Sequence, residues 1–252
     1  MSVPNMRAIE LSASSKAGEL ARELEVGHRP PEEVERILFH LSRYARAAGI
    51  AHLLAYADGA TFRQHLLRSG EARRQLLQLA RQQGRPVNRF TATGNYGPLC
   101  DALAAGADET ARDIARLSFT EHVRRDEYED DFHYARFLGW LVAGDEAQRA
   151  EAEGFLDAFE RVLQGESSPR LDLCRALMAH EQEGLDSALK ALLEERERHF
   201  HAKAKSWSVK DEHYETERFV FVEGLALLRL AERRGLSVQA EYLFMPGLAR
   251  AS

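Results

Sequence analysis

The residues best suited to chemistry are concentrated in the stretch DEYEDDFHYARFLGWL, residues 126–141, where five carboxylates and one histidine precede or enter an apolar run. Carboxylates beside a histidine can bind a metal ion, exchange protons with a substrate or contact a basic partner. The charged first turn of a solvated helix has the same composition. The rest of the chain has to separate these four interpretations.

A metal site is the least favoured of them. Asp130 and His133 are three residues apart, but a di-metal helical bundle needs two such acid-x-x-His pairs and two further carboxylates. The only other pair of this kind, Glu25 and His28, lies next to Pro30 and Pro31 and so falls at a predicted helix end. We therefore expect no metal ion and no cofactor.

Signatures of the common catalytic sites are also absent from the sequence: it contains no G-x-S-x-G, P-loop, G-x-G-x-x-G, H-E-x-x-H or C-x-x-C. Cys100 and Cys174 are isolated, which is typical of free thiols in a reducing cytosol. The net charge of -6 disfavours general nucleic-acid binding. No apolar run is long enough to span a bilayer, and residues 1–15 lack the pattern of a signal peptide. We expect a cytoplasmic protein that is not an enzyme and binds neither nucleic acid nor membrane.

Helical spacing separates two faces of the stretch 126–141. At 3.6 residues per turn, one stripe is predicted to face the core: Tyr128, Phe132, Ala135, Gly139 and Val142. Glu129, His133 and Arg136 fall on the opposite face at steps that suit charge pairing. Trp140 continues this polar stripe, so we expect another element or a partner to cover it. A solvated helix start accounts for most of the composition, and a partner surface stays open as the alternative.

Helix-forming residues and apolar residues at three- and four-residue steps dominate the whole chain, and no segment alternates like a strand. The predicted helices cover approximately residues 30–48, 50–57, 61–83, 99–105, 109–117, 127–143, 146–163, 169–179, 181–204, 213–234 and 238–244. The loop at residues 86–98 is rich in turn formers and is where a subdivision would fall. The sequence thus predicts a single all-α domain over residues 1–252. We expect a multi-helix bundle or a stack of helical hairpins, with roughly ten helices and no sheet.

One short pattern recurs along the chain. Ala stands four residues before Gly in LSRYARAAG (41–49), LLQLARQQG (76–84) and LLRLAERRG (227–235). The first two copies are 35 residues apart, close to a tetratricopeptide-type period, but a solenoid needs several consecutive units. Independent helix ends closed by a glycine explain the copies better. A helical-repeat adaptor remains an alternative.

Two further features concern charge. Residues 63–89 hold seven arginines and one acid, and only five of the 34 basic residues in the chain are lysine. We interpret the scarcity of lysine as a compositional bias, and we expect the basic segment to pair with the acidic segment 126–131 as readily as to bind nucleic acid. Glu223 falls among apolar residues on its predicted helix, so it should be buried with an arginine partner or lie at an interface.

Three segments in the second half of the chain share a hydrophobic pattern with a known family. They are EYEDDFHYARFLGWLVAG (127–144), PRLDLCRALMAHEQEGLDSALKALLEERERHF (169–200) and ERFVFVEGLALLRLAERRGLSVQAEYLFMPGLAR (217–250). The pattern resembles the immunity protein 49 family of bacterial polymorphic-toxin systems. The resemblance implies an all-helical cytoplasmic antidote that binds a toxin made by the same cell or its kin and occludes it stoichiometrically. It brings no catalytic residue with it.

The partner that this resemblance implies is a cognate toxin protein. We expect a basic toxin, such as a nuclease, because an acidic surface speeds association with a basic one. The contact residues predicted on this basis are Glu127, Glu129, Asp130 and Asp131, with Trp140 as an anchor. The alternatives are a helical-repeat adaptor with a concave groove and, less favoured, a helical metalloenzyme.

Overall fold

The computed structural model describes residues 4–26, 29–205 and 211–250, and these ranges contain eleven α-helices and no strand. In chain order they are α1 (Met6–Glu25), α2 (Pro31–Tyr56), α3 (Gly59–Gln82), α4 (Gly97–Ala104), α5 (Asp108–Leu117), α6 (Glu129–Ala143), α7 (Arg149–Leu163), α8 (Pro169–Ala179), α9 (Gln182–Lys205), α10 (Glu212–Glu217) and α11 (Val222–Arg233). Two short 3₁₀ turns lie at Glu146–Gln148 and Gly247–Ala249. The predicted all-α class is confirmed. No helix in the described ranges is long and apolar enough to cross a membrane.

The first three helices pack as two successive hairpins, α1 on α2 and α2 on α3. The sequence pattern did not predict α1, because its buried face consists mainly of the small residues Ala13 and Ala17 and so gives a weak apolar signal. The helix is capped by Asn5, whose side chain accepts from the Ala8 amide at 3.2 Å. Glu212 of α10 holds it through an ion pair with Lys16.

The predicted break between two helices at Gly49 is wrong. α2 continues through it to Tyr56, and Gly49 is buried where α3 crosses. A Cβ atom at Gly49 would lie 2.8 Å from the Cβ of His65, so this glycine permits a close helix crossing and does not end a helix.

The other two copies of the Ala-x-x-x-Gly pattern do end helices. Gly84 and Gly235 have φ angles of +60° and +77°. The amide of the next residue bonds back to the carbonyl of the alanine in each case, at 2.9 Å from Arg85 to Ala80 and at 3.0 Å from Leu236 to Ala231. This is the Schellman geometry that favours glycine, so the predicted glycine caps are confirmed at both positions.

α4 lies at the centre of the molecule, where it packs against α3, α5 and α11. Every residue from Leu99 to Ala104 is buried. The two hairpins α6–α7 and α8–α9 follow, and the largest cluster of buried apolar side chains extends from Ile50 to Ala249. The single-domain organisation stays a prediction.

The C-terminal region departs from the predicted helices. The helix expected over residues 213–234 is divided into α10 and α11 at residues 218–221, where the Phe221 amide donates to the carbonyl of Phe244 at 2.8 Å. No helix forms over residues 238–244, which turn back so that Met245 is fully buried against Gly224. Both differences arise because contacts distant in sequence outweigh the local helical pattern.

Candidate functional site

The acidic stretch forms the first turn of α6. Tyr128 is the N-cap residue, and three carboxylates follow it, where they favour the positive end of the helix dipole. Tyr128 is 79% exposed, so its predicted place in the core stripe is wrong: the helix begins after it. Phe132 and Ala135 of the same stripe are buried as predicted.

Glu127 is committed to contacts within the chain. Its carboxylate accepts from the Gly94 amide at 2.5 Å and from the Val123 amide at 3.2 Å. These bonds tie the turn before α6 to the loop that precedes α4. The carboxylate is half-buried and each of its oxygens already accepts one of these hydrogen bonds, so Glu127 is less available to a partner than an exposed acid.

The three acids of the first turn differ in their surroundings. Asp131 lies in a cleft, 3.7 Å from the guanidinium of Arg170, and burial raises the pKa of its carboxyl to about 6. Glu129 is exposed and lies 3.8 Å from the ring of His133, while Asp130 is partly exposed. Glu129 is therefore the most exposed of the three, and Asp131 differs from Asp130 in facing Arg170.

Trp140 is covered by its own chain. Its side chain is 9% exposed, its indole N–H donates to the carbonyl of Asp145 at 3.1 Å, and the guanidinium of Arg234 lies 5.4 Å from its ring. This burial leaves only an edge of the indole for any partner.

A charged cleft of about 520 Å³ opens beside Asp131, between the start of α4 and helices α8, α9 and α11. Glu223 is 13% exposed there and receives two hydrogen bonds from Arg170, at 2.9 and 3.0 Å, and one from the hydroxyl of Tyr134 at 2.9 Å. The expectation that an arginine partners a buried Glu223 is confirmed. Burial opposes the charge on Arg170, but Glu223 and the nearby tyrosines outweigh it and raise the pKa of the guanidinium.

Two more arginines of the cleft brace neighbouring elements. Arg46 of α2 donates to the fully buried carboxylate of Asp101 at 2.8 Å and lies 3.4 Å from Glu217. Arg196 of α9 donates to the carbonyls of Glu217 and Val220, and burial lowers the pKa of its guanidinium to about 10. The cleft is thus a junction where paired charges hold helices together.

The cysteine that lines the cleft is poorly suited to act as a nucleophile. Burial raises the pKa of the Cys100 thiol well above its usual value, which disfavours the nucleophilic thiolate. The described residues contain no group of three or more His, Cys, Asp or Glu side chains that could hold a metal ion. His28, from the second acid-x-x-His pair, lies outside the described residues.

The arginines of residues 63–89 do not pair with the acidic stretch as expected. In the described part of the chain their ion pairs are made elsewhere: Arg85 lies 2.6 Å from Glu35 and 2.8 Å from Glu32, and Arg74 lies 2.6 Å from Glu71. Among the described residues, the acidic stretch interacts with this segment through the long-range electrostatic attraction between Glu127 and Arg73, a buried residue of α3.

A second acidic region, which the sequence reasoning missed, covers the exposed sides of α7, α8 and α9. The last turns of α9 carry three exposed bases, Arg198, Lys203 and Lys205, but between residues 151 and 197 the exposed ionised side chains are 12 carboxylates and three basic groups. We call this surface the acidic face. A count by segment would have revealed it, because residues 127–197 hold 18 acidic and seven basic side chains against 40 and 34 in the whole chain. Glu129 and Asp130 adjoin the face, since α6 packs on α7.

Comparison with known proteins gives one match. A family model described as Immunity protein 49 matches residues 31–247, a range that contains α2 to α11 and the whole acidic face. No curated protein and no solved structure matches the chain significantly.

Proposed function

Because the chain belongs to the immunity protein 49 family, as the match over residues 31–247 shows, we propose that it protects its cell by binding a cognate toxin protein and blocking it. The family membership is the observation that carries this proposal. Inhibition is stoichiometric: the protein occludes a surface that the toxin needs, and it performs no chemistry on the toxin. The pairing of charges within the cleft supports a structural role for that site and leaves the outer surface for binding.

The acidic face is the docking surface in this proposal. Carboxylates that outnumber bases on α7, α8 and α9 attract a basic partner from a distance and raise its association rate. Glu129 and Asp130 extend the face. Glu127, Asp131 and Trp140 contribute less in this proposal, because each already contacts another part of the chain. A basic nuclease is the toxin class that this charge suits.

The protein encoded next to this one supplies the test. We expect its expression alone to arrest growth, and co-expression with the present chain to restore growth and yield a complex that co-purifies. Failure of both rescue and co-purification would overturn the antidote function.

Charge reversal tests the acidic face. Asp157, Asp172 and Glu194 lie on α7, α8 and α9, are exposed and form no ion pair within the described residues. The triple variant Asp157→Lys, Asp172→Lys, Glu194→Lys should slow association with the toxin by about tenfold or more at low salt, because steering depends on these charges.

A matched control carries the same change in net charge elsewhere. Glu19 and Glu25 on α1 and Glu109 on α5 are exposed and lie outside the acidic face. The variant Glu19→Lys, Glu25→Lys, Glu109→Lys should associate nearly as fast as the wild type. Equal slowing in both variants would remove the acidic face from the proposal and leave the antidote function standing.

A further inference from the structure

A basic cavity lies on another side of α6, between α3, α5 and α7. It has a volume of about 250 Å³ and is lined by four arginines and a single carboxylate: Arg73, Arg81, Arg116, Arg136 and Glu151. We propose that this cavity binds a phosphate-type oxyanion. The inference is independent of toxin binding, since it rests on an excess of positive charge in a chain that is acidic overall.

Arg73 is the innermost cation of the cavity. It is 2% exposed, and its guanidinium donates to the backbone carbonyls of Phe90 at 2.6 Å, Ala92 at 2.7 Å and Thr91 at 3.2 Å. No carboxylate of the described residues forms an ion pair with it, and its Nε–H is buried without an acceptor there. A buried charge without a counter-ion in direct contact is costly, and burial lowers the pKa of Arg73 to about 10 despite the more distant attraction of Glu127. The group remains charged at neutral pH, so an anion in the cavity would offset this cost.

The outer arginines have donors to spare. One Nη of Arg136 donates a hydrogen bond to Glu151 at 3.1 Å, and the Nε–H of Arg136 is buried without an acceptor among the described residues. Arg116 is exposed and forms no hydrogen bond or ion pair in the described part of the chain. Arg81 differs, because it donates to the carbonyls of Leu117 and Ser118 and supplies mainly charge.

The arginine side chain and the size of the cavity favour a phosphate group. A guanidinium presents a planar fork of N–H donors that matches two oxygens of a phosphate. Cavities that hold drug-sized molecules are usually larger than about 300 Å³, so this one suits a group of few heavy atoms. Free phosphate and a small phosphomonoester share this chemistry.

Calorimetric titration of the full chain with sodium phosphate, against sodium chloride at equal ionic strength, tests the proposal. We expect saturable binding of one phosphate. Arg116→Ala and Arg136→Met should each weaken binding by about tenfold or more. Arg112→Ala is the matched control, because Arg112 is also exposed, lies one turn earlier on α5 and is outside the cavity; it should bind as the wild type does.

Two outcomes would overturn the proposal, and one further titration identifies the source of the phosphate group. A heat of binding no greater than that of chloride would overturn the proposal, and so would equal weakening by Arg112→Ala. Titration with methyl phosphate separates the two sources of the group: tighter binding than free phosphate indicates a phosphomonoester, and weaker binding indicates the free ion. Circular dichroism of Arg136→Met checks that its loss of binding is not a loss of fold, and the exposed Arg116 provides a second variant that needs no such correction.

Discussion

Replacing Arg170 by Met tests the charged cleft as a structural junction. The change removes the cation that bonds both oxygens of Glu223 at 2.9 and 3.0 Å and lies 3.7 Å from Asp131. Glu223 is 13% exposed and would keep only the hydrogen bond from Tyr134, so a nearly buried carboxylate would lose its counter-ion.

The expected loss of stability follows from these contacts. Breaking a buried ion pair by removing one partner costs about 3–5 kcal/mol, and the lower end applies because a third of Arg170 is exposed. A loss of about 3 kcal/mol in a chain of this size lowers the melting temperature by roughly 6–12 °C. Urea unfolding followed by helical circular dichroism gives the free energy directly.

Arg175→Met is the matched control on the same helix. Arg175 lies 2.8 Å from Glu160, but the two side chains are 43% and 56% exposed. An exposed pair contributes about 0–1 kcal/mol at most, so this variant should unfold almost as the wild type does. Equal losses in the two variants, or a loss below about 1 kcal/mol for Arg170→Met, would refute the assignment of the cleft as a structural junction.

Two further predictions concern packing and pH. Gly49→Ala should cost about 1–3 kcal/mol of unfolding free energy by urea titration, because the new Cβ would stand 2.8 Å from His65; Gly139→Ala, whose Cβ would stand 3.7 Å from Ala115, should be neutral or stabilising. Burial raises the folded-state pKa of Asp131 to about 6, so this carboxyl contributes a loss of stability as the pH rises from about 4 through 6. His213 contributes in the opposite direction over the same range, because burial lowers its folded-state pKa to about 4. Asp131→Asn should remove this contribution, so the stability of the variant relative to the wild type should rise by about 2–3 kcal/mol from pH 4 to pH 7. A difference between the two proteins that does not depend on pH would contradict this prediction.

The sequence predicts helices well wherever local signals agree. Asp58 caps α3 with bonds to Ala60 and Thr61, and glycines close α3 and α11, so these ends lie near their predicted positions. The predictions are wrong where a contact between residues distant in sequence determines the local structure. Gly49 carries the same local pattern as Gly84, and only the crossing of α3 makes one an interior residue and the other a cap.

The sequence predicts which kinds of side chain meet at the candidate sites better than it predicts what each residue does there. A single carboxylate in an apolar stripe was enough to expect an arginine beside Glu223, because a buried charge requires a partner. The carboxylates from Glu127 to Asp131 could not be told apart by sequence, since their roles depend on the Gly94 amide and on Arg170, which lie far away along the chain. The acidic face was missed because no single helix contains it.

Several arginines bind backbone carbonyls, a use that the interpretation of the arginine content as a compositional bias does not address. Arg73, Arg81 and Arg196 each donate to two or more backbone carbonyls at turns and helix ends. A guanidinium can do this with five fixed donors, whereas the ammonium of lysine has three around a single point. Part of the basic charge is thereby engaged within the chain, whereas exposed carboxylates outnumber exposed bases on α7 to α9. This separation gives a chain of modest net charge the strongly acidic surface on which the proposed capture of a basic toxin depends.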